Sequence, residues 1–441
     1  MSNRRAQFRL PAEWEAHRAT WIAWPHHEPD WPGKFGPIPW VYVEIARVIA
    51  LYEPVEILCQ SDEIVEWART MLTAHAARLD RIRFHVAPTD RVWLRDSAPI
   101  GVHDPAGEVV LLDWKFNAWA KYDNWALDDR VGTAVASITG FRREEPARDD
   151  GERIVLEGGG IDTNGDGLML VTEEWLLSDV QIRNPGLSRT DYEQIFAKWF
   201  GINQTIWLGE GCVGDDTHGH IDDIARFVAK NTIVLAVEQD PSDENHERSM
   251  DNLHRLEYAS KAPGVAALHI VTLPFPRAVM MNGERLPASY ANFYIANDVV
   301  VMPTFNDPND RVALDILANL MPSRTVVGIH AVDLVWGLGT LHCLTQQEPL
   351  VQNRSPQPAV RGTTVGRARV SRDGATVRRS RPEGPKCPPL SDPDLRTIGP
   401  YHRTGPSHLR PLAPSDRTAA YLRTASDTLN AAPGIGTPAI S

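Results

Sequence analysis

Hydrophobic and polar positions follow two rhythms along the first 350 residues. Short apolar runs bounded by turn residues predict strands over Val55–Cys59, Arg83–Val86, Val109–Trp114 and Leu168–Thr172. The same pattern predicts strands at Thr232–Val237, His269–Leu273, Val299–Pro303 and Thr325–Gly328. Between them, apolar residues recurring every three or four positions predict helices over Pro39–Leu51, Ser61–Ala77, Ser188–Trp199, Asn245–Lys261 and Asp307–Leu320. Ser61 and Ser188 stand where N-caps belong, because a serine oxygen accepts from the free N–H groups of a first helical turn. The alternation predicts an α/β fold of many short units and leaves the strand order open.

Both rhythms stop near residue 350. Residues 351–441 carry 14 Lys and Arg against 6 Asp and Glu, whereas residues 1–350 carry 31 against 51. The tail holds 13 of the 34 prolines and neither tryptophan nor phenylalanine, so burial cannot offset its chain entropy, and it is expected to be disordered. A basic tail could bind acidic partners, but its arginines are dispersed and lack aromatic neighbours. Its abrupt Arg, Pro, Gly, Ala, Ser and Thr bias reads instead as translation out of frame. The expected organisation is a folded domain over 1–350 and a Pro/Arg-rich tail over 351–441.

Composition narrows the class. The 441 residues are 42% hydrophobic and 23% charged, which excludes a disordered chain, a collagen-like fibre and a disulfide-stapled miniprotein. No apolar run reaches the ~18 residues of a membrane span, and basic Met1–Leu10 lacks a signal peptide's apolar stretch, so a cytoplasmic protein is expected. Cys59, Cys212, Cys343 and Cys387 are too scattered for a disulfide framework or a CxxC zinc site. A net charge of −12 argues against a nucleic-acid partner and favours a small cationic ligand; no membrane partner is expected, and a homo-oligomer is compatible.

Four polar clusters carry candidate chemistry: Trp93-Leu94-Arg95-Asp96, Glu157-Gly158-Gly159-Gly160, Gly214 through Asp223, and Gly337 through Cys343. If the chain is extended from His220, His220 and Asp222 share a face roughly 7 Å apart at Cα, which gathers an imidazole and a carboxylate. Asp96 and Asp222 could grip a planar guanidinium from two sides, since it offers five donors in a fixed fork. Cys343 could then attack its electron-poor carbon while His220 handles protons. Taken singly, these residues are more often a satisfied structural histidine, a small buried thiol and an Arg95–Asp96 turn or surface pair.

Two patterns suggest a metal. Asp162 through Glu173 fits the EF-hand calcium loop, but strand-like flanks and the Asn164-Gly165 and Asp166-Gly167 dipeptides predict a plain hairpin. His218 and His220 lie one residue apart, without the HExxH spacing of a zinc helix. No metal site is expected.

In order, these clusters resemble the agmatine deiminase family, which includes bacterial peptidylarginine deiminases. The resemblance rests on Pro11 through Pro25, the W-x-R-D of Trp93–Asp96, the E-G-G of Glu157–Gly159 and the G-H-x-D of Gly219–Asp222. Ser289-Tyr290-Ala291-Asn292-Phe293 and the H-C-x-T-Q-Q of His342–Gln347 complete it over about residues 8–350. It implies a pentein fold, five ββαβ-type units around a pseudo-fivefold axis. It implies hydrolytic deimination through a covalent Cys343 adduct, with Asp96 and Asp222 on the guanidinium and His220 as acid then base. Trp93, Glu157 and Gly158 would line the substrate site, and neither metal nor organic cofactor is implied. Leu338 departs from a glycine the family often has before the nucleophile.

Agmatine, converted to N-carbamoylputrescine and ammonia, is the expected substrate, because Asp215 and Asp216 suit a second positive charge; the alternative is that these carboxylates cap a turn. Free or peptidyl arginine would need a basic group for its carboxylate, for which Arg226 or Arg95 could serve. An amidinotransferase and a non-catalytic guanidine- or calcium-binding protein are the further alternatives.

Overall fold

The protein is described by a computed structural model over residues 8–261 and 267–352. All but the first two residues of the 351–441 tail lie outside the described residues. Every predicted strand and helix forms, with ends displaced by a few residues. Ser61 Oγ accepts from Ile64 N at 3.4 Å, and Ser188 forms a reciprocal capping box with Asp191.

One connection rule recurs in five sheets. A short leading strand runs antiparallel to a middle strand, which crosses through helix to a third strand parallel to it. Ile100–His103, Val109–Leu112 and Arg142–Glu144 obey it around the helix Val131–Thr139. Asp162–Thr163, Leu168–Thr172 and Gln204–Leu208 obey it with Arg189–Phe200 in the crossover. Ala225–Ala229, Thr232–Val237 and His269–Pro274 enclose Asn245–Ala259. Tyr294–Ile295, Val299–Thr304 and Thr325–His330 enclose Asn309–Leu320. The fifth sheet joins the two ends of the domain. Its leading strand is the late segment Gln346–Pro349, paired with His17–Ala23, which crosses through Ile38–Ile49 to Val55–Cys59 and then Ile82–Val86.

The physical reason lies in the middle strands. Val109–Leu112 is entirely apolar and buried, and Val299–Met302 likewise, so each needs cover on both faces. A parallel partner requires a crossover long enough for a helix, and that helix supplies the cover. Tyr42, Val43, Ile45, Ala46 and Ile49 do this for the sheet of His17–Ala23.

The Asp162–Glu173 stretch folds as the expected hairpin: Asp162 and Thr163 pair with Leu170 and Met169, and Gly165 and Gly167 take φ of 71° and 94°. Asp162, first in the calcium-loop pattern, is spent on Arg226 Nε at 2.5 Å and Phe227 N at 2.8 Å. Among the described residues no helix is long and apolar enough to cross a membrane.

Candidate active site

Each sheet's leading strand is preceded by a short turn, and the polar clusters sit on these turns. Trp93 and the one-turn helix Leu94–Ser97 precede Ile100; Gly158–Gly160 precedes Asp162; His220 and the 3-10 turn Ile221–Asp223 precede Ala225. Asn292 precedes Tyr294, and Leu341–Leu344, which holds Cys343, precedes Gln346. Segments far apart in sequence thus meet because each occupies the same place in its unit.

They converge where Gly159 has no side chain. A Cβ on Gly159 would lie 2.6 Å from His220 Nδ1, 2.8 Å from Asp96 Oδ1 and 3.1 Å from Asp222 Oδ2. Gly159 N donates to Asp96 Oδ1 at 2.9 Å, and Trp119 Nε1 donates to the other Asp96 oxygen at 2.9 Å. Asp222 Oδ2 lies 2.7 Å from His342 Nδ1 and 3.6 Å from Cys343 Sγ. His220 Nδ1 stands 3.8 Å from Asp96 and its Nε2 3.6 Å from Glu157, in ion-pair range and beyond a hydrogen bond. Both His220 ring nitrogens and Asp222 Oδ1 are buried without a hydrogen-bond partner; Nδ1 faces Asp96 and Gly159, and Nε2 faces Glu157. Extended backbone from His220 to Asp222 is corrected here: residues 221–223 form a 3-10 turn, which brings imidazole and carboxylate together all the same.

A cavity of about 290 Å³ opens beside this centre, lined by Trp93, Asp96, Trp119, Gly339 and Cys343, with Asp30, Arg91, Tyr122 and Asp216 also on its wall. A Cβ on Gly339 would come within 3.3 Å of the sulfur, so that glycine keeps the approach open. A wider depression of about 780 Å³ among Glu173, Glu174, Arg189, Arg248 and Arg255 is crossed by ion pairs and has no thiol in its lining.

Charge is arranged unevenly. Burial would discharge His220, but the Asp96 and Glu157 carboxylates outweigh it and raise its pKa to about 9. Burial lifts Asp96 to about 6, His220 partly opposing and Asp222 and Glu157 adding to the rise. Asp222 is buried too, yet its bond to His342 holds it below the usual carboxylate range. Burial, then Asp222, Asp223 and Asp96, push the Cys343 thiol well up. The sulfur thus stands 3.6 Å from the Asp222 carboxylate in surroundings that favour its protonated form.

Not every expected residue reaches the cavity. Glu157 is fully buried behind His220: it accepts from Trp175 Nε1 at 2.6 Å and Arg183 Nε at 3.1 Å. Burial would raise its pKa, but Arg183 and His220 draw it down to about 2, so it is a fixed anion under the imidazole. Gly158 faces the Arg95 carbonyl instead, where a Cβ would lie 2.3 Å away. Asp215 caps its loop, accepting from Thr217 N, Gly219 N and His220 N at 2.8–2.9 Å, as the turn-capping alternative holds. Asp216 is on the cavity wall, where it accepts from Tyr122 OH at 2.7 Å and pairs with Lys121. Arg95 and Arg226 are unavailable for a substrate carboxylate. Arg95 is buried against Gln347 and Glu13, and Arg226 against Asp162, Glu13 and the Phe293 carbonyl.

Sequence reasoning missed Trp119, Asn292, Arg91 and Asp30. Asn292 Nδ2 lies 3.0 Å from Cys343 Sγ, and its signal was the already noted Ser289–Phe293 motif. Trp119 is aimed at Asp96 by a left-handed turn, with φ of 48°, 58° and 52° over Ala118, Trp119 and Ala120, which no periodicity announces.

Known proteins share this frame. The family model of Porphyromonas-type peptidyl-arginine deiminase matches residues 9–349. The agmatine deiminase of Ectopseudomonas mendocina is 34% identical over 368 residues, covering 78% of this chain and 96% of that one. A putative agmatine deiminase of Latilactobacillus sakei is 36% identical, with the same shares covered. Among solved structures, agmatine deiminase of Enterococcus faecalis is 30% identical with a TM-score of 0.71, over 78% of this chain and 96% of that one. The putative arginine deiminase of Porphyromonas gingivalis is 32% identical with a TM-score of 0.69, over 78% and 98%. The sequence match spans most of the domain, the solved structures share its fold, and the chain belongs to the Porphyromonas-type peptidyl-arginine deiminase family.

Proposed function

We propose that this protein hydrolyses agmatine to N-carbamoylputrescine and ammonia through a covalent adduct on Cys343. The observation that carries the reading is the convergence of Asp96, Asp222 and His220 on Gly159, with Cys343 Sγ 3.6 Å from Asp222. The five-sheet arrangement is read as a pentein, its units set around a pseudo-fivefold axis with this centre in the middle.

The chemistry follows from the charges. A guanidinium seated between Asp96 and Asp222 offsets the carboxylates that, with burial, keep the thiol protonated, so Cys343 gives its proton up to water as its target arrives. The thiolate attacks the central carbon, and His220, protonated at neutral pH, passes its proton to the departing nitrogen. Ammonia leaves and a thiouronium remains on sulfur. Neutral His220 then takes a proton from water as its oxygen attacks the same carbon, the C–S bond breaks, the thiolate returns, and the proton left on the product oxygen passes to ammonia. The sum is guanidinium plus water to urea plus ammonium. Glu157 is the anion that holds His220 in its acid form beforehand. The residues supply nucleophile, acid and charge complement, so the proposal invokes no cofactor.

The choice of agmatine rests on the similarity to agmatine deiminases at 34–36% identity over most of the chain; on the cavity wall Asp30 is paired with Arg91 and Asp216 with Lys121. Turnover of agmatine in EDTA, lost in Cys343→Ala, is the expected result. Faster turnover of arginine or a peptidylarginine than of agmatine refutes the substrate assignment, and transfer of the amidino group to an added amine refutes hydrolysis.

A further inference from the structure

The geometry points to Gln181 as a positioning residue, whose side-chain amide clamps two walls of the cavity beside Cys343 together and, through Trp119, holds Asp96 for the guanidinium. This rests on reading that cavity as the substrate site.

Gln181 lies between the helices Glu173–Leu177 and Arg189–Phe200, in the crossover that follows Leu168–Thr172. The segment Val180-Gln181-Ile182 is inside out for its residue types. Val180 and Ile182 are 54% and 46% exposed, while the glutamine between them is half-buried and left-handed at φ 48°. A polar side chain turned inward needs hydrogen bonds there, and a left-handed residue other than glycine persists only where its neighbours hold it. Both conditions are met. Arg183, buried against Glu157, donates to the Gln181 carbonyl at 2.8 Å and to the Thr217 carbonyl at 2.5 Å. Gln181 Nε2 in turn donates to the Trp119 carbonyl at 3.0 Å and to the Asp216 carbonyl at 3.1 Å. Carbonyl oxygens only accept, so the side-chain atom between them is the nitrogen, with both of its N–H groups engaged.

The two carbonyls belong to segments that reach the cavity from different sheets, Trp119 after Val109–Leu112 and Asp216 before Ala225–Ala229. Tyr122 and Lys121 join these segments at the Asp216 carboxylate, and Gln181 joins them at the backbone. The Trp119 turn, left-handed over three successive residues, is the kind of backbone that needs such a tie. Its carbonyl is held by Gln181 while its Nε1 donates to Asp96 at 2.9 Å, so the position of the amide is passed on to the carboxylate that meets the guanidinium. This chain of contacts ends on Asp96 and not on the sulfur. Losing the amide should therefore weaken substrate binding more than it slows the chemical step.

The test compares wild type, Gln181→Leu and Ile182→Ala by agmatine kinetics, thermal unfolding and alkylation of Cys343, in which the thiolate displaces iodide from iodoacetamide to leave a thioether. Gln181→Leu keeps a side chain of similar size and loses both donors. Its agmatine KM should rise about five- to twentyfold with kcat within about threefold of wild type. Its Cys343 should be alkylated about three- to tenfold faster at pH 8, because a loosened wall admits the reagent to a buried thiol. Ile182→Ala, exposed next door, should match wild type in both. A residue that only supports the fold would lower Tm and leave the KM of the folded enzyme unchanged, and that result overturns the inference. So does an equal rise in KM for Ile182→Ala. If Gln181→Leu does not fold, Gln181→Glu, which sets carboxylate oxygens against the two carbonyls, makes the same comparison. If wild type leaves agmatine unchanged, the substrate assignment fails and alkylation decides: a wild-type rate in Gln181→Leu overturns the clamp, and a faster one supports it.

Discussion

Gly158 and Gly159 are adjacent in sequence, and alanine at each should break a different property. Neither has the left-handed φ that penalises a side chain, so the consequence depends on what the new methyl meets. In Gly159→Ala it meets His220 Nδ1 at 2.6 Å and Asp96 Oδ1 at 2.8 Å, where ordinary contact begins at 3.4 Å. These side chains must retreat by roughly 0.6–0.8 Å, and displacements of that order at reacting groups cost about a hundredfold. In Gly158→Ala the obstacle is the Arg95 carbonyl at 2.3 Å, the backbone of the turn that carries Asp96. Backbone cannot swing aside as a side chain does, so overpacking there costs about 1–3 kcal/mol, lowering Tm by roughly 1–4 °C. The assay pairs agmatine kcat/KM with thermal unfolding followed by circular dichroism. Gly159→Ala should lose about two orders of magnitude in kcat/KM with Tm within about 1 °C of wild type. Retention of kcat/KM within about threefold of wild type in Gly159→Ala would show that the groups do not converge as described.

Three further outcomes follow from the same charges and torsions. Glu157→Gln removes a negative charge 3.6 Å from His220 Nε2, so the imidazolium loses support and its pKa should fall from about 9 by about two units; histidine NMR titration against His220→Asn reads this, and an unmoved value contradicts the anion's role. Asp222→Asn should make Cys343 easier to ionise and speed its alkylation at pH 8 about tenfold while abolishing turnover; slower alkylation would reverse the sign of the field at the sulfur. Ala120→Gly relieves a left-handed alanine at φ 52° and should stabilise by about 0.5–1 kcal/mol in urea unfolding, whereas destabilisation would mean the turn is unstrained.

Elements with strong internal pattern were legible in the sequence, and elements defined by distant partners were not. The middle strands and covering helices are apolar and periodic, so Val55–Cys59, Leu168–Thr172 and Thr232–Val237 emerge with their observed ends. The leading strands escape because Asp162–Thr163 and Tyr294–Ile295 are two residues long, and Gln346–Pro349 is polar. Yet these strands hold the active-site turns in place. Within the site, residue types announce Cys343, His220, Asp96 and Asp222, while their surroundings decide the other assignments. Glu157 reads as a wall residue until Arg183 and Trp175 are seen to enclose it, and neither partner carries a signal of its own. Asp215 and Asp216 are indistinguishable in sequence, and only the loop's path turns one inward to its own N–H groups and the other to Tyr122. Burial, and then the Asp222, Asp223 and Asp96 carboxylates, push the Cys343 thiol well above its ordinary range, which no residue type in the sequence announces.

The most direct test of that account is mass spectrometry of agmatine incubated with the purified protein and with Cys343→Ala in water labelled with heavy oxygen. Wild type should yield ammonia and N-carbamoylputrescine bearing one labelled oxygen, with no product from Cys343→Ala. Unchanged agmatine under wild type, or labelled product from Cys343→Ala, would contradict it.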